Sequence, residues 1–169
     1  MINVYLPIHS TTILEENKSL FLAGTIEMGN SRDWQAEVID FIKRSNIESL
    51  NIFNPRRVVF DQNDKEEIYN QINWELDNIA KSDFIFMNLC KDTISPISLL
   101  EIGLILSLLK TSDLKFIIHV EHGYLRDQNV EVTLNHWAFH NPSVKVFFST
   151  ENKSTYAESL FFLIDSMLK

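Results

Sequence analysis

Pro96-Ile97-Ser98-Leu99-Leu100-Glu101-Ile102-Gly103 carries a single carboxylate in an otherwise apolar stretch. The run follows a strand-like segment and opens an apolar helix, which puts Glu101 about one and a half turns in. A charge on an apolar face is costly unless it is paired or used. Glu101 is therefore the first candidate for chemistry. Trp74-Glu75 lies on an earlier helix, where Trp74 is either core or a surface on which a base could stack. Asp77 and Asp83 lie nearby, and by position alone each of these acids, Glu75 included, is better explained by solvation than by catalysis.

Three further groups fall where loops are expected. Gly24-Thr25-Ile26-Glu27-Met28-Gly29-Asn30 follows a short apolar run. Its spacing is neither GxGxxG nor a P-loop. Its glycines permit either a plain turn or a close approach of backbone to ligand. Asn54-Pro55-Arg56-Arg57 ends a second run. Paired arginines there could hold phosphate or carboxylate through their planar donor forks, or could serve as a solvated or ion-paired couple. Tyr124, Arg126 and Asn129 lie on a loop after a fourth run. His119/His122 and His136/His140 lack the further ligands a metal site needs, so no metal and no cofactor is expected.

The elements that must position these residues follow from apolar periodicity. Short strands are expected near 20–23, 50–53, 84–87, 116–118 and 144–148. Helices are expected over 32–44, 65–81, 97–109, 130–139 and 155–168, the first capped by Ser31. Ile2 to Ile8 has edge-strand character, but Pro7 and the polar Ser10-Thr11-Thr12 point to a loosely attached arm over 1–17. Residues 18–169 then form one domain. Alternating apolar strands and helices imply a five-stranded, mainly parallel sheet covered on both faces. This is an α/β three-layer sandwich of flavodoxin-like, or Rossmann-like, type. In such folds ligands bind beyond the carboxyl ends of the strands, where the groups above fall.

Composition narrows the partners. The formal net charge of −8 disfavours nucleic acid and anionic membrane. A small molecule remains the expected partner. Cys90 is the one cysteine, which excludes an intrachain disulfide and suits a small core residue. No signal-like or membrane-spanning run is present, and a cytoplasmic location is expected.

Taken together and in order, residues 20–29, Trp34-Gln35, 54–57, Gln71-Ile72-Asn73-Trp74-Glu75 and 96–103 resemble the nucleoside 2-deoxyribosyltransferase family, in particular its deoxyribosyltransferase-like branch. The likeness spans roughly residues 18–130. It implies cleavage of an N-glycosidic bond and transfer of the (deoxy)ribosyl group to another base. Glu101 matches the glutamate that attacks the anomeric carbon. Glu75 matches the acid that handles the nucleobase proton, where relatives carry aspartate. Ser95 stands where relatives carry an aspartate that contacts the sugar. The candidate substrate contacts are Gly24, Thr25, Ile26, Met28, Arg56, Arg57, Trp74, Ser95 and Asn129; the Arg56-Arg57 pair is characteristic of the like-branch and takes no role from the transferases proper, and the resemblance also implies a homo-oligomer. Hydrolysis of a nucleoside monophosphate, an NAD glycohydrolase activity and a silent nucleotide-binding sensor are the alternatives.

Overall fold

The computed structural model describes residues 1–7, 16–61 and 63–169, without the side chain of Met28. Its strands are β1 (Ile2–Tyr5), β2 (Ser19–Gly24), β3 (Leu50–Phe53), β4 (Phe84–Leu89), β5 (Lys115–Val120) and β6 (Val144–Phe148). Its helices are α1 (Trp34–Lys43), α2 (Lys65–Lys81), α3 (Pro96–Leu108), α4 (Asp127–His140) and α5 (Tyr156–Leu168). The strands form one sheet in the order β1-β3-β2-β4-β5-β6, and every pairing is parallel.

Without β1, the remaining five strands have the order of a flavodoxin-like doubly wound sheet. The sixth strand corrects the expected count of five. Ile2 to Tyr5 pairs residue for residue with Leu50 to Phe53, so these four residues are sheet rather than loose arm. Pro7 lies beyond the last paired residue, where its missing N–H costs the ladder nothing. The Ser10-Thr11-Thr12 part of the expected arm lies outside the described residues.

Period-two alternation divides the core between two faces. Phe21, Ala23, Ile85, Met87 and Leu89 pack under α2, α3 and α4 with Ile79, Ile102, Ile105 and Leu134. Leu20, Leu22, Phe84 and Phe86 pack under α1 and α5 with Trp34, Val38, Ile42 and Leu163. Cys90 belongs to this second cluster. Burial pushes its thiol up to about 11, which suits a core residue.

The cap of α1 differs from expectation. Asp33 accepts from the Ala36 N–H at 3.1 Å, whereas the Ser31 hydroxyl turns back to donate to the Ile26 carbonyl at 3.0 Å. Asp83 ties strand starts together, accepting from the Ser19 N–H and hydroxyl at 2.8 and 2.7 Å.

Strand order reverses between β2 and β4, the place where such sheets open a crevice. Gly24 and Asn88 are register partners there. Gly24 has φ +121°, and a Cβ would collide with the Asn88 carbonyl. Only glycine fits this approach. The neighbouring Thr25 N–H donates to the Asn88 carbonyl at 2.9 Å.

Candidate active site

Two clefts open at this switch point on the α2/α3 side. One, of about 280 Å³, is lined by residues that include Gly24, Thr25, Ile26, Pro55, Glu75, Ser95, Ile97 and Glu101. The other, of about 270 Å³, is lined by Ile26, Gly29, Pro55, Arg57, Val58, Phe60, Gln71 and Glu75. Ile26, Pro55 and Glu75 belong to both.

Glu75 comes from the middle of α2 and Glu101 from the second turn of α3. Gln71 stands one turn before Glu75. Its Nε2 donates to Glu75 Oε1 at 2.6 Å and to the Pro55 carbonyl at 2.9 Å. Gln71 Oε1 is buried with no partner among the described residues. Glu101 receives no hydrogen bond or ion pair among them. Burial raises both carboxyls, and the charge of Glu75 lifts Glu101 further, to about 8. Near neutral pH the pair therefore holds a proton.

A protein-family model described as nucleoside 2-deoxyribosyltransferase like matches residues 17–124. The chain belongs to this family. No curated protein matches it. The matched span runs from just before β2 through β5. It contains every residue of both clefts and stops short of α4.

Against the nucleoside 2-deoxyribosyltransferase-like resemblance, the structure sorts the expected binding residues. Gly24, Thr25, Ile26 and Ser95 reach the cleft with the two glutamates, and Arg57 reaches its neighbour. The Thr25 hydroxyl is itself occupied. It meets Ser95 Oγ at 2.6 Å and Thr93 Oγ1 at 3.3 Å, and accepts from the Cys90 N–H at 3.1 Å. Ser95 precedes α3 at φ +42°, a left-handed geometry that costs a serine about 1 kcal/mol or more. The shared hydroxyl contacts hold it there.

Arg56 does not line either cleft. Its guanidinium donates to the Gly29, Ser31 and Arg32 carbonyls at 3.0, 2.6 and 3.2 Å and to Gln35 Oε1 at 3.2 Å. It fastens the loop before α1. Arg57 instead pairs with Glu67 at 3.1 Å and lies over the Phe60 ring. Trp74 turns into the core against Phe21 and Phe53, with ring centroids 6.1 and 6.0 Å away, so it presents no stacking surface to the clefts. Asn129 lines a separate apolar groove of about 330 Å³ between α3 and α4. The side chain of Met28 lies outside the described residues.

Gln71, Pro55 and Phe60 are cleft residues to which sequence reasoning assigned no role. The signal for Gln71 was its i,i+4 spacing from Glu75.

A second polar cluster occupies the same edge of the sheet on the α1/α5 side. The Asn88 amide donates to Glu121 at 3.1 Å and to Cys90 Sγ at 3.3 Å. Its oxygen therefore accepts from His119 Nδ1 at 2.6 Å. That leaves His119 Nε2 to accept from the Ser149 hydroxyl at 2.8 Å. Glu121 also takes the Lys91 N–H at 3.0 Å and Arg32 at 2.5 Å. Burial acts to raise Glu121, but these donors outweigh it and hold the carboxyl below its ordinary value. Burial pushes His119 down to about 4.

Proposed function

We propose that this chain cleaves the N-glycosidic bond of a nucleoside or nucleotide and transfers the (deoxy)ribosyl group to another base. The observation that carries this reading is a pair of carboxyls with raised pKa lining one cleft at the switch point.

Breaking a sugar–base bond builds positive charge on the sugar and negative charge on the base. The reaction starts with one carboxylate and one carboxylic acid, which is what a pair holding one proton supplies. A Glu101 oxygen bonds to the anomeric carbon as the carbon–nitrogen bond breaks. The bonding electrons leave with the base, which takes its proton from Glu75. A second base, losing its proton to Glu75, attacks the same carbon and releases Glu101. The arrangement parallels that of retaining glycosidases. Positive charge developing at the sugar draws the ionised state to Glu101 and leaves the proton for Glu75. Gln71, held by the Pro55 carbonyl, keeps Glu75 in place.

The test is a product screen by liquid chromatography and mass spectrometry. Wild-type protein and Glu101→Ala are incubated with pooled nucleosides, nucleoside monophosphates and NAD, with and without free bases. Exchange of bases by wild type alone supports transfer. Free base without exchange assigns water as acceptor and makes the chain a hydrolase. Retention of a ligand with no product from any pool overturns the catalytic reading.

A further inference from the structure

Gln71 Oε1 and Arg57 Nε are both buried with no partner among the described residues. Both residues line the second cleft, together with Glu75. Their remaining contacts fix what each orphaned atom can do. Gln71 Nε2 donates to the Pro55 carbonyl and to Glu75 Oε1. That settles which way the amide faces and leaves Oε1 as an acceptor only. Arg57 gives its Nη2 to Glu67 and its flat face to Phe60, while Nε–H is left as a donor. A buried polar atom without a partner is rare and costly. An acceptor and a donor so placed in one cleft call for a ligand that brings one of each.

Gln71 stands between the other two groups. On one side it is bonded to Pro55, two residues before Arg57, and on the other to Glu75. Glu75 receives this bond on Oε1, so the proton of its acid form sits on Oε2. The polar wall therefore runs donor, acceptor, donor: Glu75 Oε2–H, Gln71 Oε1, Arg57 Nε–H. Ile26, Pro55, Val58 and Phe60 supply apolar lining, which suits the faces of a flat ring.

We infer that this cleft takes the base and selects bases whose edge runs acceptor, donor, acceptor. The inference rests on the proposed role of Glu75 as proton donor to the base. Adenine presents such an edge at N7, the 6-amino group and N1. Uracil and thymine present one at O2, N3–H and O4. Hypoxanthine and guanine run acceptor, acceptor, donor from N7, and cytosine runs the same way from O2. None of these three satisfies all three groups in either direction. An acceptor then faces Gln71 Oε1, or a donor faces Arg57 or Glu75. A site built to hydrogen-bond its substrate rejects an analogue that leaves buried groups unpaired. Exchange of an amino group for a carbonyl oxygen thus acts in opposite senses on the two rings. It destroys the fit from adenine to hypoxanthine and creates it from cytosine to uracil.

Isothermal titration of the full chain with free adenine, hypoxanthine, uracil and cytosine tests the inference without turnover. Adenine is expected to bind at least about tenfold more tightly than hypoxanthine, and uracil at least about tenfold more tightly than cytosine. Gln71→Met and Arg57→Met are each expected to shrink both ratios severalfold. Arg57 lies in the loop between β3 and α2, so its variant serves where Gln71→Met fails to fold. A merely structural role for the two residues would weaken all the bases alike and leave the ratios unchanged, which overturns the inference. So does a preference for hypoxanthine or cytosine, or failure of adenine and uracil to bind at millimolar concentration. Base exchange in the product screen with the reverse order of bases also overturns it, while the glycosidic reading stands. Absence of product with every base fails the glycosidic reading instead, and the order of the free bases still decides the inference.

Discussion

The two polar clusters at the carboxyl edge of the sheet use similar residues to opposite ends. On the α1/α5 side, Glu121 is met by Arg32, Asn88 and a backbone N–H, and His119 is bonded at both ring nitrogens. Glu121 sits below its ordinary value and His119 is neutral. On the α2/α3 side, Glu75 has one donor and Glu101 has none among the described residues, and both are raised. A buried polar group whose bonding capacity is filled holds a structure together. A buried carboxyl left without partners is held at the expense of stability, which is the pattern of a site whose partner is a substrate.

The largest test of this contrast is Glu101→Gln. It removes the attacking carboxylate with little change in shape, and the proposed chemistry requires turnover to fall by roughly a thousandfold or more. Steady-state kinetics on the substrate found by the product screen measures it. Retention of most of the turnover would remove Glu101 from the mechanism.

Glu75→Gln should cost about a hundredfold in kcat. Bases that leave readily without a proton should lose less than poor leaving groups. An equal loss for both kinds would take the proton transfer away from Glu75.

Next comes Glu121→Ala, which takes one acceptor each from Asn88, Arg32 and the Lys91 N–H. Stability should drop by about 2 kcal/mol, read by chemical denaturation, while turnover is largely kept. A variant as stable as wild type but inactive would reverse the assignments of the two clusters.

The smallest effect separates the clusters by pH. Glu101 has a folded pKa raised to about 8. Its contribution is fully present below the unfolded value near 4.5 and is lost as pH rises through 8. Glu101→Gln should therefore gain stability over wild type across that window, by on the order of 2 kcal/mol at its alkaline end. His119 is depressed to about 4, so its contribution is present above the unfolded value near 6.5 and is lost as pH falls toward 4. Melting temperature against pH for wild type, Glu101→Gln and His119→Gln checks both slopes. Parallel curves for wild type and Glu101→Gln would contradict the raised pKa.

Much of this edge was legible before folding. Strand and helix alternation is a local pattern, and Glu101 stood out because its neighbours are apolar. Arg56 and Arg57 were not separable, because adjacent residues at a strand end differ only in which way they point. The loop before α1, remote in sequence, consumed the first and left the second beside the cleft. Trp74 was ambiguous for a related reason. An aromatic ring one residue before a cleft carboxyl faces either way until Phe21 and Phe53 arrive from two strands.

The amino-acid order by itself determined the class of sheet, pointed to the end of it where such folds bind ligands, and marked Glu101 as a candidate, with Glu75 joining it through the family resemblance. Burial period and the carboxyl-end rule depend on near neighbours and on chirality. Tertiary structure alone decided the sixth strand, the partners of each carboxyl and which expected binding residues reach the cleft. Those outcomes depend on segments far apart in the chain, such as β1 on β3 and Gln71 between Pro55 and Glu75. No local pattern encodes which distant group will fill, or fail to fill, a carboxylate's hydrogen bonds.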